Sequence, residues 1–413
     1  MTVTIESPAQ IRLETSSFCN LRCPSCPTTT GAIIPAVGGG FLRFEDFRDL
    51  LDKNPRLKRI ELSNYGEIFL NPALLRILEL AYKRGVVLTA DNGANLNKVR
   101  PEVLEGLVKY RLRSMVCSID GASEATYSVY RVRGKFANVI GNIRKINMLK
   151  RRYRSRFPEL TWQFVVFGHN EHELPLARAM ARVLGMRFYA KLSWDPDFSP
   201  VREAKAVGEA TGTDAATREE YEALHGQDYM QDICHQLWDA PQINWDGKVL
   251  GCCRNFWGDF GGNAFRDGLT ASVNTEQMVH ARAMLLGRAP ARKDVPCTTC
   301  EIYIKMRERG RWLERDLSPH RNWPTASGLL GRTKKLLGRT KKLYPIARFI
   351  EAMRDHRPSI ARDEHHVEAL LQLGSIALER GDQAGAVGLL RRAAALRPSN
   401  PEVSRRLAEA RAK

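Results

Sequence analysis

Three cysteines near the start of the chain have a spacing that could hold a metal centre. In the sequence ETSSFCNLRCPSCPTTTG, Cys19, Cys23 and Cys26 follow the pattern C-x3-C-x2-C, and Pro24 and Pro27 disfavour a helix. Three thiolates on one compact loop leave one coordination position of the metal centre open. A structural zinc site needs four protein ligands, and the second C-x2-C pair that such sites usually have about 12 to 20 residues further on is missing here. The loop therefore favours a 4Fe-4S cluster with one iron free to bind a ligand.

Four further cysteines form a second candidate set. Twelve residues separate Cys234 from Gly247, and four residues separate Gly247 from Cys252. Cys297 and Cys300 follow in the sequence PCTTC. The Asp-Gly dipeptide in INWDGKVLGCC predicts a tight turn between two short strands. Four cysteines complete the ligand set of a 4Fe-4S cluster or of a zinc ion, and spacing alone leaves both open.

The elements that must position these residues alternate between strand and helix. Six apolar runs, IRLET, RIELSN, VVLTAD, SMVCSID, TWQFVVF and RFYAKLSW, are strand-like, and each but the last is followed by an amphipathic stretch. Repeated units of this kind predict an α/β fold with a parallel sheet. Functional residues then lie at the carboxyl ends of the strands. The first cysteine set follows the first of these strands.

The cysteine loop in this setting resembles that of the radical S-adenosylmethionine (radical SAM) superfamily. The resemblance implies an open, partial (β/α)6 barrel and a 4Fe-4S cluster whose free iron chelates the amino and carboxylate groups of SAM. It also implies reductive cleavage of SAM to methionine and a 5'-deoxyadenosyl radical, which abstracts a hydrogen from the substrate. An electron donor such as flavodoxin or ferredoxin is the corresponding partner.

Other segments resemble the SAM-binding motifs of that family. NYGEIF, after the second strand, is similar to its Gly-Gly-Glu motif, with Tyr65 in place of the first glycine, and with Gly66 and Glu67 retained. The resemblance implies that Glu67 receives the SAM amino group. Ser25 departs from the family, which often has an aromatic residue against adenine at that position. The motifs DNGAN and SIDGASEATYSVYR imply further SAM contacts by Asn92, by Ser118 near the ribose and by Arg131 near the carboxylate.

The second cysteine set resembles the start of the SPASM auxiliary-cluster domain. The further cysteines of a full SPASM domain do not follow Cys300, which implies the shortened Twitch form with one auxiliary 4Fe-4S cluster. Cys253 is the candidate catalytic residue, as a hydrogen-atom donor, with packing as the alternative for it and for Cys117. Adjacent side chains of a strand point to opposite faces, so we expect Cys253 to face away from the auxiliary cluster. That direction favours oxidation or elimination over epimerisation.

The chain divides into four predicted parts. Residues 1–232 form the barrel, and residues 233–312 form the Cys-rich auxiliary domain. Residues 313–362 form a basic linker in which LLGRTKK occurs twice in succession, with a peripheral membrane helix as an alternative. Residues 363–413 form an all-α helical hairpin that resembles one tetratricopeptide unit. Since one repeat buries its own core poorly, we expect it to dock on the enzyme or to contact a protein partner.

The net charge of +18 is spread unevenly. Residues 305–362 hold sixteen Lys/Arg and five Asp/Glu. A second basic run, IRKINMLKRRYRSRF, is predicted to be a helix with Ile143, Ile146, Met148 and Leu149 in the core. Such charge attracts anionic ligands, lipid or nucleic acid without identifying which. The start of the chain lacks a secretory pattern, and its nine cysteines are odd in number, so we expect reduced thiols and a cytoplasmic location.

The leading functional hypothesis is a radical SAM enzyme acting on a polar small molecule. We expect no N-terminal peptide-recognition domain, because the first strand begins near residue 10, and no second auxiliary cluster. The predicted substrate is therefore carbohydrate-like or nucleotide-linked and could be anionic, and the outcome is oxidation, dehydration or epimerisation. One alternative is modification of a peptide or protein delivered through the C-terminal helices. The other is an iron-sulfur protein without catalytic activity that binds nucleic acid, a reading that charge alone supports.

Overall fold

The computed structural model describes residues 3–314, 364–379 and 381–412, so most of the basic linker and both LLGRTKK copies lie outside it. Six strands occur at the predicted places, and two short strands follow them. Their bounds are β1 Gln10–Leu13, β2 Arg59–Glu61, β3 Val87–Ala94, β4 Ser114–Ser118, β5 Glu159–Val166, β6 Arg187–Leu192, β7 Gln242–Ile243 and β8 Val249–Gly251. They form one sheet in the order β6-β5-β4-β3-β2-β1-β7-β8.

Helices connect consecutive strands and cover the outer face of the sheet. In the first 314 residues they are α1 Ile33–Val37, α2 Phe44–Lys53, α3 Leu74–Lys83, α4 Pro101–Lys109, α5 Glu124–Tyr130, α6 Phe136–Arg152, α7 Leu174–Val183, α8 Ala204–Thr211, α9 Arg218–His225, α10 Gln236–Asp239, α11 Leu269–Ser272, α12 Glu276–Leu285 and α13 Glu301–Glu308. Short 3-10 helices span Ile68–Leu70, Glu171–Glu173, Gln231–His235 and Pro296–Thr299. The predicted α/β class with a parallel sheet is confirmed, because β1 to β6 pair in parallel throughout.

Strand alternation separates an outer face, against the helices, from an inner face. On β5 and β6 the rings of Phe164 and Phe188 lie 6.0 Å apart, and Arg178 of α7 stacks on Phe188, so this side is the outer one. Residues of the opposite parity, such as Gln163 on β5, face the inside of the partial barrel. The inner face at the carboxyl ends of the strands is where the candidate site lies.

The predicted hairpin in INWDGKVLGCC exists and extends the barrel sheet. β8 pairs antiparallel with β7, and Gly247 supplies the positive φ of 92° that the turn between them requires. The sequence did not indicate that β7 would also pair with β1, in parallel, through Arg12 and Gln242. The hairpin therefore brings the second cysteine set next to the strand that precedes the first.

The C-terminal helices are α14 Glu364–Glu379, α15 Gln383–Leu396 and α16 Pro401–Ala412. A Cβ atom at Gly374 would lie 2.6 Å from Leu390 Cγ, so this glycine lets α14 and α15 approach closely. Because α14 also packs against α5 and α7, the hairpin docks on the barrel, which is one of the two expected arrangements.

Two further features of the fold bear on the sequence-based expectations. Helix α6 buries Ile143, Ile146 and Leu149 as expected, but the prediction for Met148 is wrong: it is 53% exposed, because it lies on the opposite side of the helix. In the part of the chain that the structure describes, no helix combines the length and apolar character needed to cross a bilayer.

Candidate active site

The first cysteine loop begins directly after β1 and is held by the loop that follows β2. The Glu14 carboxylate, at the end of β1, accepts the backbone N–H groups of Tyr65 at 2.8 Å and of Gly66 at 3.4 Å. A Cβ atom at Gly66 would lie 2.0 Å from the Ser16 carbonyl oxygen, so only glycine permits this approach. Burial raises the pKa of Glu14 to about 8, although the backbone donors oppose the shift.

Three N–H groups point at the sulfur atoms of this loop. The backbone N–H of Leu21 lies 3.5 Å from Cys19 Sγ, and Asn95 Nδ2 approaches the same sulfur at 3.8 Å. Arg131 Nη1 lies 3.6 Å from Cys23 Sγ. Donors of this kind stabilise thiolates that ligate a metal and tune iron-sulfur clusters. The site thus suits ligating cysteines better than inert packing.

The thiols share a buried, mutually interacting environment. Burial raises the pKa of Cys19 to about 12, and the Glu67 carboxylate and the charges of the other two thiols act in the same direction. Burial also raises the pKa of Cys23, while the Arg131 guanidinium opposes that rise. Cys26 packs with Cys23 against a small apolar cluster. The structure therefore brings together all three predicted ligands.

Glu67 lies beneath the loop, with its carboxylate already engaged. Its oxygens accept the backbone N–H groups of Asn95 at 2.6 Å and of Phe69 at 3.3 Å. Burial raises the pKa of Glu67 to about 7. In this arrangement it supports the loops after β2 and β3, and its predicted contact with the SAM amino group stays a prediction.

Asn92 and Ser118 lie at the mouth of the partial barrel. The Asn92 side chain is exposed and donates to Asn64 Oδ1 at 2.8 Å, and its backbone N–H donates to Ser63 Oγ at 3.0 Å. A Cβ atom at Gly93 would lie 2.6 Å from Ser118 Oγ, so only a glycine at position 93 leaves room for the Ser118 hydroxyl. Their predicted roles toward SAM stay predictions.

Arg131 follows α5 and is fixed by a buried carboxylate. Its Nε donates to Asp120 Oδ2 at 2.6 Å, and the other Asp120 oxygen accepts the Val165 N–H at 2.8 Å. The guanidinium therefore lies between Asp120 and Cys23 on the inner side of β4 and β5. This position beside the cysteine loop is compatible with the predicted contact to a SAM carboxylate, which stays a prediction.

Ser25 is covered by the segment that follows β6. Its hydroxyl donates to the Asp195 carboxylate, and its carbonyl accepts the Trp194 indole N–H at 3.1 Å. Trp194 also meets Tyr130 in an edge-to-face contact, with centroids 6.3 Å apart. An aromatic side chain therefore does reach this loop, but it comes from the end of β6 instead of from position 25.

The four cysteines of the second set line one cavity. Cys234 lies on the 3-10 helix before α10 and Cys252 follows β8, whereas Cys297 lies on the 3-10 helix Pro296–Thr299 and Cys300 directly precedes α13. Burial raises the pKa of Cys234 well above its usual range, and the charges of the other three thiols add to the shift. The remaining wall is apolar and aromatic and includes Leu237, Trp257, Phe260 and Tyr303.

Neither cysteine set is gathered as tightly as the ligands of one ion. Over residues 3–314, 364–379 and 381–412, no three His, Cys, Asp or Glu side chains are close enough together to hold a single metal ion. Zinc bonded to sulfur at about 2.3 Å would need such a tight group.

Cys252 and Cys253 have different surroundings, although both lie in a turn past the end of β8 and not on an extended strand. Cys253 is not part of the cavity wall. Its Sγ accepts a hydrogen bond from Gln236 Nε2 at 3.4 Å. The thiol is thus held by Gln236 outside that cavity, and its predicted role as a hydrogen-atom donor stays a prediction. Cys117 is fully buried in the core, as packing requires.

Sequence reasoning missed four residues of the site: Glu14, Asn95, Asp120 and Lys191. Lys191 shares the inner face of β6 with Tyr189, and burial lowers its pKa to about 8, with the charge of Arg218 acting in the same direction. The repeated asparagines of DNGANLN and the charged residue within the apolar run RFYAKLSW were the available signals. Neither signal tells which partner a side chain meets.

Comparisons with known proteins agree with this architecture. The chain is similar to SuiB of Streptococcus suis, with a TM-score of 0.50 and 13% identity over 76% of this chain and 78% of that chain. Weaker similarities include SuiB bound to its precursor peptide SuiA, with a TM-score of 0.49 and 13% identity over 72% and 71% of the two chains. BtrN in complex with AdoMet and 2-DOIA has a TM-score of 0.40 and 12% identity over 72% and 94%.

Sequence comparison identifies the C-terminal part alone. A tetratricopeptide repeat model matches residues 367–410, which agrees with the predicted repeat. No curated protein matches the chain significantly. The chain thus shares the partial-barrel fold of SuiB, with a tetratricopeptide repeat docked on the barrel.

Proposed function

We propose that the chain is a radical SAM enzyme whose Cys19, Cys23 and Cys26 hold a SAM-binding 4Fe-4S cluster. The observation that carries the proposal is the group of N–H donors aimed at two of these sulfurs, at the carboxyl edge of the sheet. When bound, the cluster would supply the electron for reductive cleavage of SAM. Leu21, Asn95 and Arg131 would orient two of the three thiolates through their N–H groups, and Arg131 would also supply a positive charge for the SAM carboxylate.

The second cysteine set is proposed to hold an auxiliary 4Fe-4S cluster. Cys234, Cys252, Cys297 and Cys300 supply four ligands, so no iron would be open to substrate. All four cysteines line one cavity with a largely apolar and aromatic wall, which supports a single buried centre held by this set. A zinc ion has the same ligand count and stays the alternative. Such a cluster would serve electron transfer or structure.

Iron content and SAM cleavage test both assignments. Anaerobically reconstituted protein is expected to carry about eight irons, for two cubanes, and to form 5'-deoxyadenosine with a strong reductant. Replacing Cys19, Cys23 and Cys26 by alanine should halve the iron and abolish cleavage, whereas Cys117→Ala should change neither. About four irons per chain together with bound zinc would overturn the auxiliary cluster. Salt-sensitive nucleic-acid binding without SAM cleavage would support the non-catalytic alternative.

The auxiliary cluster has its own test. Cys297→Ala is expected to remove about four irons and to leave some SAM cleavage uncoupled from product. Spectroscopic coupling between a substrate nucleus and the auxiliary iron of the wild-type enzyme would contradict a fully ligated cluster.

The substrate is proposed to be a polar, carbohydrate-like or nucleotide-linked small molecule that is oxidised, dehydrated or epimerised at a carbon bearing a hydroxyl or an amine. The polar and charged lining of the barrel mouth, including Asn92, Asn64 and Lys191, supports this class. Metabolite extracts incubated with enzyme, SAM and reductant should show one consumed compound together with 5'-deoxyadenosine.

A peptide or protein substrate is the second candidate, favoured by the tetratricopeptide match at residues 367–410. Support would come from a protein that binds the full chain, that no longer binds after deletion of residues 363–413, and that is modified while 5'-deoxyadenosine forms. Capture without modification would count against it.

A further inference from the structure

Lys191 carries a positive charge on the inner face of the barrel, where its side chain is half-buried. It alternates with Phe188 and Leu192, which face the helices, and its register partner on β5 is Val165, which packs beside the first cysteine set. Its ammonium has no hydrogen-bond or ion-pair partner in the part of the chain that the structure describes. An ammonium in this half-buried place is open to an anionic ligand, which it can bind by charge-assisted hydrogen bonds.

Arg218, the first residue of α9, brings a second cation to the same place. Its Nη2 donates to the Leu192 carbonyl at 3.4 Å, and its guanidinium carbon lies 4.9 Å from the centre of the Tyr229 ring. Its Nε is buried and has no partner among the described residues. Two cations, Lys191 and Arg218, therefore lie at the end of β6, and the charge of Arg218 acts on Lys191.

The carboxylates whose charges act on these two cations already form ion pairs with other basic side chains. Asp120, which acts on Lys191, binds Arg131 at 2.6 Å. Asp228, which acts on Arg218, lies 3.5 Å from the Lys305 ammonium. The region at the end of β6 therefore keeps an excess of positive charge that no carboxylate of the described chain neutralises fully.

We infer that Lys191 and Arg218 form a binding subsite for an oxyanion of the substrate, a phosphate or a carboxylate. An ammonium and a guanidinium together suit such a group, since both donate charge-assisted hydrogen bonds to its oxygens. The subsite deepens the proposed function and rests on it, because it would orient the substrate between the first cysteine set and Cys253. SAM itself is expected to place its carboxylate at Arg131, on the other side of Asp120.

The test measures anion binding without turnover. Reconstituted full-length enzyme, saturated with SAM at about 0.15 M salt to screen its exposed charges, is titrated calorimetrically with inorganic phosphate and, separately, with acetate. Lys191→Met and Arg218→Gln are each expected to weaken binding of the preferred anion at least tenfold, roughly the loss of one charged hydrogen bond. Preference for phosphate or for acetate identifies the substrate group.

Two control variants make the result specific. Lys205→Met removes one charge from an exposed position of α8 and should leave anion affinity unchanged. Lys191→Arg keeps the charge and should retain affinity within a few-fold, which separates loss of binding from loss of folding. SAM affinity should be the same in all of these proteins.

Three results would overturn the inference. The first is that the wild-type enzyme binds neither anion. The second is that the Lys191→Met and Arg218→Gln variants keep wild-type anion affinity. The third is that these variants lose SAM affinity to the same extent, which would assign the two cations to the cofactor. Failure of the proposed function would look different, as absent iron or absent 5'-deoxyadenosine in wild-type protein.

Discussion

The Tyr65 hydroxyl donates a 2.6 Å hydrogen bond to the backbone carbonyl of Asn255, which ties the loop after β2 to the turn that carries Cys252 and Cys253. The same residue donates its N–H to Glu14 and accepts a 2.6 Å hydrogen bond from Thr28, within the first cysteine loop. Tyr65 thus connects both cysteine sets. This role differs from the predicted SAM contact and explains how a bulky residue suits this position.

Tyr65→Phe is expected to loosen that connection. The Asn255 carbonyl would lose its donor in a partly buried place, which costs about 1–2 kcal/mol. Amide hydrogen exchange across residues 252–257 should quicken accordingly, at unchanged iron content. Tyr153→Phe is the matched control, since its hydroxyl binds Glu105 at the exposed surface. Equal exchange in the two variants would show that the Tyr65 bond does not hold the turn.

Much of the fold could be predicted because its signals are local. Each apolar run and the amphipathic stretch after it reports its own secondary structure, as SMVCSID does for β4. The pairing of β7 with β1 could not be predicted, because Gln242 and Arg12 are far apart in sequence and strand register depends on tertiary packing. The turn at 252–253 was expected to continue β8, since local alternation does not reveal where a strand stops.

For the site, too, local features could be predicted from the sequence, whereas contacts between distant residues could not. The spacing of the cysteines predicted which residues gather, because all three lie within one loop. Asn95 could not be assigned to Cys19, because their contact depends on β3 and on an irregularity in its pairing with β4 between Ala90 and Ala94. The pattern of β6 puts Tyr189 and Lys191 on one face, but it does not tell that this face is the inner one.

Asn95→Asp is expected to weaken the first cluster. The substitution replaces an N–H donor near Cys19 by a carboxylate, which adds negative charge beside three thiolates and Glu67. We expect at least a tenfold slower formation of 5'-deoxyadenosine, in line with the effect of outer-shell groups on metal sites. Asn138→Asp, on the exposed side of α6, supplies the same charge as a control. Normal cleavage by Asn95→Asp would remove this residue from the site.

Glu14→Gln should change how stability depends on pH. The folded-state pKa of about 8 lies above that of an unfolded glutamate, about 4.3, so the folded state binds more protons between these values. Ionisation of Glu14 therefore destabilises the fold as pH rises through this window, whereas glutamine stays neutral and can still accept the Tyr65 N–H.

Unfolding of the cluster-free protein measures this difference. From pH 5 to pH 8 the variant should gain on the order of 2 kcal/mol relative to wild type. Glu209→Gln, exposed on α8, should give no such gain. Parallel pH profiles of wild type and Glu14→Gln would mean that Glu14 is already ionised at pH 5.

The type of reaction depends on Cys253. A substrate radical either loses an electron, which gives oxidation, or regains a hydrogen atom from a protein donor, which gives an inverted centre. Strand alternation favoured the first outcome because it turned the thiol away from the auxiliary cluster. In the structure Cys253 does lie outside the cavity of the second set, but it follows β8 in a turn and its Sγ is held by Gln236, so strand alternation no longer decides whether the thiol reaches the substrate.

We therefore expect Cys253 to return a hydrogen atom to the substrate radical and then to be reduced again by the external electron donor and a solvent proton. In deuterated water, wild-type enzyme should place deuterium at the reacting carbon, because the thiol exchanges with solvent before it donates. Cys253→Ala should still form 5'-deoxyadenosine but lose the deuterated, inverted product, whereas Cys117→Ala should keep it. A dehydrogenated product without solvent deuterium, formed equally by wild type and Cys253→Ala, would restore oxidation as the reaction and leave Cys253 a packing residue.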